Sequence, residues 1–237
     1  MLRNKIIRAA GGSAPLRDLF QISRVDSFTD AAGNATVNLT GLNIRSGDLV
    51  VLAVMGADLG NSLSNKLSSV SVSINGTTTQ TETQRLEDTY NNGRNACLVC
   101  DCIASTNGSS IKWIVTRFGG VADTFGSAAC VVVAADVASS LGLGLSFAAV
   151  DNDSRGGTTT LTATVNSLDS SESIFIGFGF EEGDRVSHEW LTVAEDLRVG
   201  QPNGCVSCGT RTGTQSNSYR VILDANAPCS ALAIVYD

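Results

Sequence analysis

Four of the seven cysteines fall into two Cys-x-x-Cys units, Cys97-Leu98-Val99-Cys100 and Cys205-Val206-Ser207-Cys208. Four thiolates brought to one point would hold zinc in a tetrahedron. Whether they can meet depends on the backbone that carries them. The first unit lies in Asn95-Ala96-Cys97-Leu98-Val99-Cys100-Asp101-Cys102, which reads as a strand. Residues three apart in a strand point to opposite faces, so Cys97 and Cys100 would need a bulge to share a metal. The second unit follows Pro202-Asn203-Gly204 and precedes Gly209, a setting closer to the tight turn of a zinc knuckle. The separation of the two units exceeds that of a zinc ribbon. The expectation is therefore reduced thiols packed as small apolar residues, without metal. Cys130, within Ala128-Ala129-Cys130-Val131-Val132-Val133, fits that description. A Cys205–Cys208 or Cys208–Cys229 disulfide is the alternative in an oxidising medium.

Asp151-Asn152-Asp153-Ser154-Arg155-Gly156-Gly157 has the alternating oxygens and glycine turn that open a calcium loop. Arg155 stands where a ligand is needed and no glutamate closes the loop, so a polar turn is expected. His188, the only histidine, sits near Glu181, Glu182, Asp184 and Glu189. Such a group could perform acid–base chemistry, but no nucleophile motif such as Gly-x-Ser-x-Gly accompanies it. Glu181 and Glu182 are weighed as a glycosidase pair, and a charged surface loop anchored by Trp190 is preferred. Phosphate loops and dinucleotide fingerprints are absent. No residue is expected to be catalytic, to bind a cofactor or to ligate a metal, and the chain is read as not an enzyme.

The elements that would position these residues read as short strands. Asp48-Leu49-Val50-Val51-Leu52-Ala53-Val54 is continuously apolar, as in a strand buried on both faces. Val70-Ser71-Val72-Ser73-Ile74 alternates and runs into Asn75-Gly76, a strong hairpin signal. Further strands are expected at Phe20–Phe28, Ala35–Leu39, Ala96–Ala104, Ile111–Arg117, Cys130–Ala135, Thr158–Val165, Ile174–Phe180, Ser218–Leu223 and Ser230–Tyr236. Short helical turns fit only Asp136–Ser140 and Leu191–Leu197. Trp113, between Ile111 and Val115, is expected in the core, and Tyr90 in a loop. The fold class is all-β: an antiparallel β-sandwich or jelly-roll-like domain over residues 20–237, preceded by an arm and linker over residues 1–19.

Composition bounds what such a domain does. Of 237 residues, 43% are hydrophobic, enough for a packed core, but only 16% are charged against a typical ~25%. Surfaces built from Thr, Ser and Asn are easier to desolvate than charged ones, which suits contact with neighbouring chains. The net charge of −7 argues against wrapping nucleic acid. Arg3, Lys5, Arg8, Arg17 and Arg24 oppose only Asp18 at the head, so the arm is basic and the body acidic. Arg8 ends the apolar stretch of the leader after two residues, so no signal peptide is read, and no run is long enough to span a bilayer. The chain is expected to be soluble and not classically exported.

Lys5-Ile6-Ile7-Arg8-Ala9-Ala10-Gly11-Gly12-Ser13, followed by Leu39-Thr40-Gly41-Leu42-Asn43-Ile44-Arg45-Ser46-Gly47-Asp48-Leu49-Val50-Val51-Leu52-Ala53, resembles small virion proteins of tailed bacteriophages. In those a short Gly/Ala-rich head precedes a β domain whose strand begins Gly-Asp-Leu-Val-Val. The resemblance covers about the first quarter of the chain. It implies a tail, baseplate, fibre-base or capsid-decoration subunit located in the virion and assembled in the host cytoplasm. Its implied partners are other virion proteins and copies of itself, with neither nucleic acid nor membrane. The alternative is a carbohydrate-binding β-sandwich module that recognises a host-surface glycan.

Overall fold

A computed structural model describes residues 20–25, 30–31, 34–58, 66–90, 95–118, 125–135, 145–153, 160–165, 174–181, 186–190, 197–201, 204–212, 217–223 and 229–236. Every regular element among them is a β-strand. The expected arm over residues 1–19, the turn at Asp136–Ser140 and all of the turn at Leu191–Leu197 except Leu197 lie outside the described residues.

The first ten strands are β1 (Phe20–Val25), β2 (Asp30–Ala31), β3 (Asn34–Ile44), β4 (Leu49–Asp58), β5 (Lys66–Ile74), β6 (Thr78–Gln80), β7 (Glu82–Tyr90), β8 (Asn95–Ile103), β9 (Gly108–Phe118) and β10 (Phe125–Ala134). They form two antiparallel sheets, sheet I in the order β2-β3-β9-β5-β6 and sheet II in the order β1-β10-β4-β8-β7. The remaining strands are β11 (Leu145–Asp153), β12 (Thr160–Val165), β13 (Ile174–Glu181), β14 (Val186–Trp190), β15 (Leu197–Gln201), β16 (Gly204–Thr212), β17 (Asn217–Leu223) and β18 (Cys229–Tyr236). These make sheet III, ordered β11-β18-β13-β16-β15, and sheet IV, ordered β12-β17-β14. The chain is an all-β fold of stacked antiparallel sheets.

Side-chain phase explains the stacking. In β4, Val50, Leu52 and Val54 join Val37, Ile74, Leu98 and Trp113 in a core between sheets I and II. The alternate residues Leu49, Val51 and Ala53 join Val99, Ile176, Phe178 and Ile234 in a second core between sheets II and III. Sheet II is thus covered on both faces, which is why β4 carries no polar residue from Leu49 to Val54. An unbroken apolar run usually marks a parallel sheet, and here it marks the middle layer of an antiparallel stack. On sheet III the other face presents Gly177, Gly179, Gly209, Ala231 and Ala233. These small residues let sheet IV approach, with β12 against β11 and β18 and β14 against β16.

Turns set the register. Asn75 and Gly76 have φ of 53° and 71°, the two positive values that a primed hairpin turn requires, and β5 pairs with β6 across them. The Asn75 side chain is held in turn: the Ser109 N–H donates to its Oδ1 at 3.0 Å, and its Nδ2 donates to the Asn107 carbonyl at 3.3 Å. A Cβ at the neighbouring Gly108 would overlap the Ile74 Cγ2 methyl, so only glycine fits there. At the start of β4, Gly47 adopts φ 93° and the fully buried Asp48 accepts the Arg45 N–H at 2.7 Å through Oδ2. The Gly47-Asp48-Leu49-Val50-Val51 pattern is therefore a side-chain-capped turn that feeds a core strand.

Candidate binding cleft

Within β8, Cys97 and Val99 face sheet III, and the next residue in that phase is Asp101. A carboxylate thus occupies a position where the pattern calls for an apolar side chain, and its side chain is only 3% exposed. An ionised group in that setting needs partners. Two supply them, one from each side of the interface.

The first is Arg85 on the edge strand β7. The pairing of β7 with β8 runs Gln84 with Cys100 and then Leu86 with Val99, leaving Arg85 as the extra residue of a β-bulge. Bulges re-aim a side chain, and this one puts Arg85 Nε 2.6 Å from Asp101 Oδ2. The second partner is Tyr236 on β18, whose hydroxyl donates to the same Oδ2 at 2.7 Å. Both hydrogen bonds fall on one oxygen, and Oδ1 accepts none among the described residues.

The electrostatics follow from burial beside a negative charge. Burial pushes the Tyr236 phenol well above its ordinary range, and the adjacent Asp101 pushes it further. The Cys102 thiol is pushed up to about 12, chiefly by burial and then by the charges of Asp101 and Glu82. For Arg85, burial opposes the charge, but the hydrogen bond and the charge of Asp101 outweigh it and raise the pKa. At neutral pH the phenol and the thiol are both protonated. The ion pair is internally neutral.

These groups border a cleft of about 310 Å³. Exposed Thr81, Thr83 and Ser105 line its rim, and Leu49 and Ile103 supply apolar wall. Gln80 steadies the edge, its Nε2 donating to the Thr78 carbonyl at 2.8 Å and its Oε1 accepting the Ser105 N–H at 2.7 Å. With its thiol and phenol protonated and its carboxylate paired, the cleft offers hydrogen bonds more readily than nucleophilic attack.

The residues singled out from sequence lie elsewhere. Cys97 belongs to the core between sheets II and III and Cys100 to the core between sheets I and II, the opposite faces that strand phase requires. Cys205 and Cys208 sit on one strand, β16, and not on a knuckle turn, because Gly204 already pairs with Gln201 of β15. Cys208 is a buried thiol and forms neither the Cys205–Cys208 nor the Cys208–Cys229 pairing in this structure. Asp151, Asn152 and Asp153 are strand residues paired with Ala231, Ser230 and Cys229, so the polar turn expected to begin there does not. His188 pairs with Val221 through the backbone of β14, and Glu181 ends β13, while Glu182 and Asp184 lie outside the described residues. Trp113 is fully buried in the core, as expected. Tyr90 closes β7 opposite Asn95 and is not in a loop, because the charged stretch before it is an edge strand.

No known protein family matches the chain, and no curated protein matches it. The cleft has to be read from its own chemistry. Sequence reasoning passed over Arg85, Asp101 and Tyr236. The available signal was Asp101, a lone charge inside Cys97-Leu98-Val99-Cys100-Asp101-Cys102.

Proposed function

We propose that the chain is a non-enzymatic structural subunit that works by assembling with copies of itself and with other proteins, in the particle of a tailed bacteriophage. The observation that carries the assembly reading is the outer face of sheet I. By register, Asn38, Lys112, Ser73 and Thr79 lie in one row, Thr36, Ile114 and Ser71 in the next, and Thr40 and Ser110 in a third. Lys112 is the sole charge on these rows. A sheet face of hydroxyls and amides around Ile114 and one cation costs less to desolvate than a charged one, and it meets an acidic body, such as that of a second copy, without like-charge conflict. The protonated Tyr236 and Cys102 and the paired Asp101 favour this reading over catalysis. The virion context rests on the sequence resemblance alone.

Native mass spectrometry tests assembly directly. The wild-type protein is expected to form a defined oligomer. Thr36→Arg combined with Thr40→Arg should reduce it to monomer with an unchanged far-UV circular dichroism spectrum. A wild-type chain that stays monomeric at every concentration would sink the reading. The particle context is tested separately by looking for the chain in purified virions, and its absence there removes the bacteriophage assignment.

A further inference from the structure

The cleft beside Asp101 has features that a structural tie alone does not require. A buried charge cluster that only tied sheet II to sheet III would be sealed, with its hydrogen-bonding capacity used inside. Here the carboxylate is almost fully buried, yet both of its protein hydrogen bonds fall on Oδ2. Oδ1 is an acceptor without a donor among the described residues, and Asp101 lines a cleft of about 310 Å³. Arg85 reaches Asp101 from a bulge through Nε, its terminal nitrogens make no hydrogen bond among the described residues, and the residue lines the same cleft. Tyr236 donates its proton to Asp101, which leaves its oxygen lone pairs as acceptors. Thr81, Thr83 and Ser105 each add a hydroxyl that both donates and accepts.

We propose that this cleft binds a neutral polyhydroxylated ligand, a single pyranose ring of a glycan being the size that fits. Charge decides the class. The Asp101–Arg85 pair cancels itself, so an anionic ligand meets the carboxylate and a cationic one meets the guanidinium. A sugar hydroxyl instead donates to Oδ1 and accepts from an Arg85 terminal nitrogen, using both groups without adding charge. Half-buried Ile103, backed by Leu49, supplies the apolar surface that the C–H face of a pyranose packs against. The volume lies at the lower end for small-molecule pockets, about 300–1,000 Å³, which suits one ring and not an extended chain. The site adjoins the outer face of sheet I at Thr79, which lines the cleft and ends one row of that face, but its charged groups Asp101 and Arg85 lie on sheet II.

The test is saturation-transfer NMR on the full chain with the methyl glycosides of glucose, galactose and mannose, N-acetylglucosamine and sodium glucuronate. At least one neutral sugar is expected to show transfer, and glucuronate to bind more weakly. Asp101→Asn replaces one acceptor oxygen with a donor and should weaken binding at least about tenfold, equivalent to ~1.4 kcal/mol. If that variant does not fold, the exposed rim change Thr83→Val together with Ser105→Ala decides, with the same loss expected. No transfer from any neutral sugar, stronger binding of glucuronate, or neutral-sugar binding unchanged in a folded Asp101→Asn or in the rim variant would each overturn the proposal.

Discussion

Asp101 sets the energetics of its neighbours because a buried carboxylate is costly unless each partner stays in place. Tyr236→Phe keeps the ring in the core and removes one donor, a loss of about 1–3 kcal/mol. In a chain of this size that lowers Tm by about 2–4 °C per kcal/mol, measurable by calorimetry. Arg85→Met leaves the carboxylate without a cation and should cost more than Tyr236→Phe. The same residues predict an alkaline limit. The unfolded chain releases the Cys102 proton near the ordinary 9.0, whereas the folded chain holds it to about 12. Stability from this group is complete below pH 9 and is lost as pH rises towards 12. Tyr236, also raised, adds to the loss above its ordinary 10.0. Thermal melts from pH 8 to 11 should show Tm falling from about pH 9, and Cys102→Ala should flatten that fall.

At the scale of elements, Gly108 at the start of β9 offers the sharpest test. Gly108→Ala drives a methyl into Ile74 beside the Asn75-Gly76 turn, and overpacking of this kind costs about 1–3 kcal/mol. Urea denaturation should show the midpoint lowered with little change in slope. Elements with a complete apolar phase were legible from sequence. Leu49–Val54, Ile111–Val115, Ile174–Phe180 and Ser230–Tyr236 all lie within strands that bury at least one face. Edge strand β7 was not, because Glu82-Thr83-Gln84-Arg85-Leu86-Glu87-Asp88 is polar on both faces and its bulge interrupts the period of two. The Cys205–Cys208 stretch of β16 reads from sequence as closer to a turn because Pro202-Asn203-Gly204 and Gly209 flank it, turn residues that hide a strand pattern. The cleft was hidden for a related reason. Arg85 and Tyr236 reach Asp101 only through a bulge and across two sheets, and neither is a matter of spacing along the chain.

At the scale of the whole molecule, residues 20–135 build sheets I and II, and residues 145–236 build sheets III and IV. The first half alone would leave Leu49, Val51, Ala53, Val99 and Val132 on a bare face of sheet II. A fragment spanning residues 20–135 is expected to bind a hydrophobic dye and to self-associate, checked by dye fluorescence and size-exclusion chromatography. A monomeric, dye-free fragment would show that sheet II closes without its neighbour. Synthesis gives this face a lifetime. Ribosomes add about 5–20 residues per second, so the middle layer waits several seconds before its own cover emerges. During that wait the second half of a neighbouring copy is chemically as good a lid as its own. Crowding nascent chains on one message should therefore raise the yield of exchanged, interlocked pairs, and slowing initiation should lower it.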